Sequence, residues 1–130
     1  MSGDVNAIMR QYLGVALAGE AWVGRIYCPR LPEKATLPAL AFFVRGGMST
    51  PYIPPLVSPS FQFDCWGSNP IEARSVYIAL YDALQGIQQQ AVGGYRIASA
   101  VEEVSGYEIQ DVEFPNYHRV ITFFKVIIEI

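Results

Sequence analysis

The stretch SFQFDCWGSNPIEARSVYIALYDALQG, residues 60–86, joins a strand pattern directly to a helix pattern. Apolar and polar residues alternate from 60 to 66, which predicts a β-strand with one apolar face. That face carries Phe61, Phe63 and Cys65, whereas Gln62 and Asp64 point the other way. The acid and the thiol are therefore expected on opposite sides of a sheet.

A helix start follows this strand, after a short turn at Gly67 and Ser68. Asn69 is suited to the N-cap, Pro70 to the first helical position and Glu72 to the capping partner three residues on. The apolar stripe of the predicted helix consists of Val76, Leu80, Ala83, Leu84 and Ile87. We expect this helix to run to residue 88 and to pack back onto the apolar face of the strand.

The rest of the chain supplies one more helix and several strands. Residues 4–19 predict an amphipathic helix capped by Asp4. The predicted strands are 25–28, 39–45, 95–104, 107–113 and 117–130, with a turn at Ser105 and Gly106. This order predicts an α+β fold: a mainly antiparallel sheet with two helices packed on one face, forming a single domain over residues 1–130.

The last predicted strand, 117–130, is apolar on both faces. One face carries Val120, Thr122, Phe124, Val126, Ile128 and Ile130. The other face carries Ile121, Phe123 and Ile127 among charged residues. Because such a strand is central in its sheet or covered by another subunit, Phe123 and Ile127 are candidate interface residues.

Residues 46–59 predict an apolar loop stiffened by four prolines. Its apolar candidates for contact are Met48, Tyr52, Ile53, Leu56 and Val57. Such a loop either folds over its own core or reaches onto a neighbouring subunit. Proline favours the second case, because it lowers the entropy that the loop loses on docking.

Composition favours a folded domain with apolar surface reserved for a partner. Of 130 residues, 52% are hydrophobic and 16% charged, against about 25% charged in typical soluble domains. The net charge of −3 and the lack of a Lys/Arg cluster disfavour binding to nucleic acid through its phosphates. No stretch reaches the ~20 apolar residues of a membrane helix, and the acidic start is unlike a signal peptide, so we expect no membrane partner.

The sequence contains no pattern that predicts a catalytic, cofactor or metal site. Cys28 and Cys65 are far apart and lack the spacing of zinc ligands. His118 is the one histidine, and a pair with Cys65 would need an electropositive setting that the apolar strand does not offer. Motifs for phosphate binding, dinucleotide binding, nucleophile elbows and zincins are missing. We therefore expect no enzyme activity and no cofactor.

Five carboxylates surround the predicted turn at 105–106. They are Glu102, Glu103, Glu108, Asp111 and Glu113. Paired carboxylates can transfer protons or bind a hard cation, but the Asp/Asn/Gly spacing of a cation-binding loop is missing. A solvated acidic face is the favoured interpretation, and a metal site is the alternative.

Two segments together resemble the tail-completion proteins of long-tailed bacteriophages, also called tail terminators or tail-to-head joining proteins. The first is GRIYCPRLPEKATLPALAFF, residues 24–43, with its "RIY…LP…LP" entry, and the second is the stretch 60–86. A predicted helix precedes both, and the closing strand YHRVITFFKVIIEI, residues 117–130, follows them. The resemblance thus covers most of the chain.

The resemblance implies a structural subunit of the virion, assembled in the host cytoplasm and placed at the head-proximal end of the tail. Such subunits form a ring, commonly a hexamer, on the last ring of the tail tube. The implied partners are further copies of the chain, the tail tube protein and the head-completion or connector protein. DNA passes through without specific binding, so the five carboxylates are candidates for the channel wall, where like charge keeps DNA from adhering.

Two other interpretations remain open. One is another head–tail connector or a tube protein of the same particle, although connectors tend towards basic patches and a tube protein would polymerise beyond one ring. The other is a small oligomeric α+β enzyme or ligand-binding domain. It would use the cleft between the Cys65 strand and the Asn69-capped helix, with His118 as the obvious polar residue.

Overall fold

The computed structural model describes residues 4–32, 34–49, 56–110 and 117–129. The helices are α1, Val5–Ala16, and α2, Pro70–Leu84. The strands are β1, Ile26–Tyr27; β2, Ala39–Ser49; β3, Leu56–Gly67; β4, Gln88–Val92; β5, Tyr95–Gln110; and β6, His118–Glu129. The first helix starts as predicted, because the Asp4 carboxylate accepts a hydrogen bond from the Asn6 N–H.

The six strands form one sheet in the order β1-β2-β3-β6-β5-β4, with β1 and β2 parallel and the other neighbours antiparallel. Both helices lie on one face, where Leu13 of α1 and Val76 of α2 join Phe63 and Phe124 in a single core. This confirms the predicted α+β class. We call the face under the helices the inner face and the opposite one the outer face.

The stretch 60–86 forms the predicted corner between a strand and a helix. Phe61, Phe63 and Cys65 are fully buried on the inner face. Asn69 caps α2, since its Oδ1 accepts a hydrogen bond from the Glu72 N–H at 2.8 Å. The Glu72 carboxylate accepts from the Ser68 N–H at 3.0 Å, so the reciprocal bond reaches one residue further back than predicted.

The close approach of β3 to α2 depends on Gly67. A Cβ on this residue would lie 2.8 Å from the carbonyl carbon of Glu72 and 2.9 Å from the Cα of Ala73, with the Ala73 nitrogen closer still. These are backbone atoms of the first turn of α2, so no change of rotamer relieves the contact. Glycine is required here for space.

Strand β6 lies between β3 and β5 and is apolar on both faces, as the sequence predicts. Its buried inner-face residues are Val120, Thr122, Phe124, Val126 and Ile128. On the outer face Ile121 is buried and Phe123 and Ile127 are half-buried, whereas Lys125 and Glu129 are exposed. The strand is central, and its outer face is covered less completely than its inner face.

The predicted loop at 46–59 is longer than the structure allows, because β2 continues to Ser49 and β3 begins at Leu56. Strands β2 and β3 form a hairpin that stays paired out to Ser49 and Val57. The pairing shifts between Val44 and Gly46, and Gly46 has φ 134°, which side chains with a Cβ rarely allow. Gly46, where the predicted loop begins, instead permits a bulge within the hairpin.

The turn predicted around Gly106 is also wrong, because β5 passes through it as one strand. The pairing of β5 with β6 shifts between Glu102 and Val104 and again between Val104 and Tyr107. Bulges therefore absorb the extra residues. Gly106 fits here because a Cβ on it would lie only 2.7 Å from Cε1 of the Tyr77 ring.

Strand β4, Gln88–Val92, is an element that the sequence did not predict. Helix α2 ends at Leu84 and not at residue 88, and Gly86 with φ 76° follows it. Glutamine is not among the β-branched and aromatic residues that are enriched in strands. Pairing with β5 at the sheet edge gives the glutamines of β4 strand structure, which is a tertiary effect.

Candidate assembly surface

A row of four residues, three of them apolar, crosses the outer face, while both helices lie on the inner face. Phe43 of β2 pairs with Gln62 of β3, Gln62 with Phe123 of β6, and Phe123 with Val104 of β5. Phe43 and Phe123 are half-buried, and Val104 is 40% exposed. An apolar row of this kind is typical of a surface reserved for a partner.

A chain of polar contacts lies next to this row. Arg45 Nε donates a hydrogen bond to Ser60 Oγ at 3.3 Å, and Ser60 Oγ donates to Glu103 Oε1 at 2.7 Å. The Arg45 guanidinium also lies 4.0 Å from the centroid of the Phe123 ring, a cation–π contact worth ~0.5–1 kcal/mol at exposed sites. Lys125 is exposed beside them and makes no ion pair with any described residue. The outer face is thus apolar with charges of both signs at its edge.

The seven predicted interface residues do not share one face. Leu56, Phe123 and Ile127 lie half-buried on the outer face. Val57 pairs with Ile128 and packs against the core on the inner face. The remaining predicted contacts, whose side chains lie outside the described part of the chain, are Met48, Tyr52 and Ile53. An assembly role stays a prediction for the whole set.

A partly enclosed polar cluster surrounds Asp64 on the outer face. This carboxylate is 6% exposed, accepts a hydrogen bond from Gln62 Nε2 at 3.1 Å and lies 3.8 Å from an Arg119 nitrogen. Burial raises the pKa of Asp64, and the Gln62 hydrogen bond and the Arg119 charge partly offset that rise. The Trp66 ring packs edge-on against Tyr117 and contacts the Arg119 guanidinium. The outward side of β3 is therefore an ion-paired cluster and not a bare polar edge.

Glu102 is half-buried and is the most enclosed of the predicted acidic residues that the structure describes. Its Oε2 accepts hydrogen bonds from the Tyr77 hydroxyl at 2.7 Å and from Thr122 Oγ1 at 2.6 Å, on the inner face. The Tyr77 hydroxyl accepts in turn from the Gly106 N–H at 3.3 Å. Burial first, and then the bond to Glu102, raise the pKa of Tyr77. This network fixes α2 to the irregular part of β5.

The five predicted acidic residues do not form one face among the residues described. Glu102 points to the inner face, and Glu103 bonds to Ser60 on the outer face. Glu108 pairs with Val120 across the ladder, is exposed and lies 3.9 Å from Arg74. The bulges in β5 change which way successive residues point. Asp111 and Glu113 lie outside the described residues, and the channel-facing role stays a prediction.

Cys65 is a packing residue of the core. It is fully buried, and burial, followed by the charges of Asp64 and Glu102, raises its pKa well above the ordinary thiol value. His118 pairs with Gly67 in the ladder, two positions along β3 from Cys65. As predicted, the acid and the thiol of β3 point to opposite faces.

The cleft beside the start of α2 contains His118 but not Cys65. Its polar residues are Glu108, His118 and Arg119, and Glu108 is already paired with Arg74. Among residues 4–32, 34–49, 56–110 and 117–129, no three His, Cys, Asp or Glu side chains are grouped as metal ligands. No described helix has the length and apolarity needed to cross a bilayer.

Sequence reasoning missed two exposed apolar patches, which hold six of the seven large hydrophobic residues that are exposed in the described structure. The α2 patch consists of Ile71, Ile78 and Tyr81, exposed by 83%, 52% and 37%. The β5 patch consists of Val101, Val104 and Tyr107, exposed by 50%, 40% and 44%. The α2 patch has a signal in the sequence, because two isoleucines seven residues apart lie on one helix face. The β5 patch has none, because bulges create it.

Comparison with known proteins shows the fold. The chain is similar to one in a solved structure described as the virion of a native gene transfer agent (GTA) particle, with 16% sequence identity and a TM-score of 0.66. The alignment covers 98% of this chain and 99% of that chain. No family model and no curated protein match the sequence.

Proposed function

We propose that this chain is a structural subunit of a phage-like virion, and that within the particle it is the tail-completion subunit. The observation that carries the proposal is the fold similarity, which extends end to end over a chain of a GTA virion. The sequence resemblance to tail-completion proteins supports the same class of protein independently. In this role the subunit forms a ring, for which we propose six copies, on the head-proximal end of the tail tube.

The outer face supports an assembly role. Its apolar row through Phe43, Phe123 and Val104 lies opposite both helices, and charges of both signs border it. Interfaces of subunits that assemble from folded monomers commonly combine an apolar centre with a polar rim. Tail tube protein, connector protein and further copies of the chain are the partners that this role requires.

The acidic residues and the net charge of −3 suit a ring through which DNA passes. Glu108, together with Asp111 and Glu113, is our candidate for the channel wall, because like charge lowers the affinity for phosphates. Glu103 points to the other face of β5, and Glu102 is engaged by Tyr77 and Thr122.

Complementation tests the function directly. Tails that lack their completion protein are incubated with the purified chain, and infectious or DNA-transferring particles are counted. We expect particles to be restored, with tails of normal length. Tubes that grow beyond normal length would point to a tube protein, and unchanged titres with no rings in electron micrographs would refute the proposal.

The hairpin between β2 and β3 provides a second test. Replacing residues 50–55 by a short Gly/Ser linker leaves the paired strands intact, so the chain should still fold. If the hairpin carries assembly contacts, the variant should be a monomer by light scattering and inactive in complementation. Rings of normal mass and activity would show that the hairpin is not an assembly arm.

A further inference from the structure

The α2 patch and the β5 patch lie on opposite sides of the molecule. Helix α2 covers the inner face, whereas Val104 pairs with Phe123 on the outer face. We infer that the α2 patch of one copy docks on the β5 patch of the next copy, head to tail. The inference rests on the ring assembly proposed above and names the surfaces that would build it.

The α2 patch lies along the outward side of the helix. Ile71 and Ile78 are seven residues apart, about 10.5 Å along the axis. They face away from the core side of α2, which carries the buried Ala73, Val76, Leu80 and Leu84. These two exposed isoleucines, about two turns apart, present apolar surface that a partner can bury.

The β5 patch offers a matching strip on the outer face. The two bulges bring every third residue, Val101, Val104 and Tyr107, to the same side. At about 3.3 Å per residue this strip is at most ~20 Å long, which accommodates the two turns between Ile71 and Ile78. Phe123 lies next to Val104 and extends the apolar surface inward from the strip.

Charges at the two patches are complementary in one orientation. Asp82 on α2 is exposed, and so is Lys125, which pairs with Val101 at one end of the strip; neither makes an ion pair with a described residue. Arg74 lies about two turns before Asp82. Its one ion pair with a described residue is the 3.9 Å contact with Glu108. If α2 runs antiparallel to β5 of the next copy, Asp82 meets Lys125 and Arg74 approaches Glu103.

A head-to-tail contact also covers both patches of every copy, that is, six of the seven large hydrophobic residues that are exposed in the described structure. A symmetric dimer through either patch would bury three of the six residues in each copy and leave the other three in solvent. A heterologous contact uses both patches of every copy and closes as a ring when the rotation between neighbours is right.

Two substitutions separate these arrangements. Ile78→Lys disables the α2 patch, and Val104→Lys disables the β5 patch; both replace exposed side chains. Each variant alone should sediment as a folded monomer, because loss of a central apolar contact weakens association on the order of 30-fold or more. Mixed in equal amounts, the two variants should form a dimer and nothing larger, because one intact α2–β5 contact remains. Val15→Lys is the matched control. Val15 lies on α1, outside both patches, and is 77% exposed, so this variant should assemble like the wild type.

The possible results discriminate clearly. Self-dimers of either variant would show a symmetric contact and overturn the inference. Rings formed by both variants, with normal complementation, would overturn the inference and leave the proposed function intact. A wild-type chain that neither forms rings nor completes tails would refute the proposed function itself. If Val104→Lys does not fold by circular dichroism, Val101→Lys tests the same patch.

A charge exchange tests the orientation. Asp82→Lys and Lys125→Asp should each weaken association roughly 5–10-fold, and the double variant should restore it. Glu20→Lys, a reversal at an exposed residue outside both patches, is the matched control for Asp82→Lys. A double variant no better than the single ones would refute the proposed orientation.

Discussion

Gly67→Ala is expected to destabilise the chain although it adds a single methyl group. The new Cβ would lie 2.8 and 2.9 Å from backbone atoms of Glu72 and Ala73, about 0.5–1 Å inside ordinary contact distance. Such overpacking against backbone costs about 1–3 kcal/mol. Loss of unfolded-state entropy returns up to about 1 kcal/mol, so the middle of the range for overpacking leaves a net loss of about 1 kcal/mol.

Urea unfolding followed by circular dichroism measures this effect, at one protein concentration for all variants because association adds to apparent stability. A loss of ~1 kcal/mol corresponds to a fall in Tm of roughly 3–5 °C for a chain of this size. Gly14→Ala is the matched control: Gly14 lies in α1 with no other group within 4 Å of an added Cβ, so alanine should stabilise by about 0.5–1 kcal/mol. Equal or greater stability of Gly67→Ala would refute the argument that space at the corner demands glycine.

Three further predictions concern buried polar groups. Burial holds the pKa of Asp64 above its ordinary value. The protonated Asp64 therefore contributes to the free energy of unfolding below the ordinary Asp pKa, and this contribution is lost as pH rises through the raised pKa. The stability of Asp64→Asn relative to wild type should increase between pH values of about 4 and 7 in urea titrations. Tyr77→Phe removes a donor to Glu102 and should cost about 1–3 kcal/mol; a double-mutant cycle with Glu102→Gln should show coupling, and strictly additive losses would contradict the network. Cys28 should react with a thiol reagent in the folded protein, whereas Cys65, fully buried with a raised pKa, should react only on unfolding; equal rates for both thiols would contradict its core position.

Local chemistry explains what the sequence could predict. The alternation at 60–66 and the Asn69 cap are determined by residues close together in the chain, and both appear in the structure. The face assignment of the C-terminal strand was also correct, because a period of two needs only the strand itself. These elements were sufficient for the α+β class.

What the sequence could not show depends on residues far apart. Gly106 is a turn signal locally, but pairing with β6 and the Tyr77 ring hold it within a strand. The glutamines of β4 take strand structure from β5. The bulges in β5 place Glu102 and Glu103 on opposite faces of the sheet and bring the residues of the β5 patch to one side. Of the two exposed apolar patches, the β5 patch therefore depends on the pairing of β5 with β6 and not on local sequence.

The position of β6 has a consequence for the order of synthesis. The hairpin of β2 and β3 and the hairpin of β4 and β5 meet in the sheet only through β6, the last described strand to leave the ribosome. The chain is synthesised at about 5–20 residues per second. The two hairpins therefore cannot join into one sheet until β6 has been synthesised. A nascent chain without β6 has two unpaired strand edges and no continuous outer row. The outer surface is therefore complete only after β6 has been synthesised.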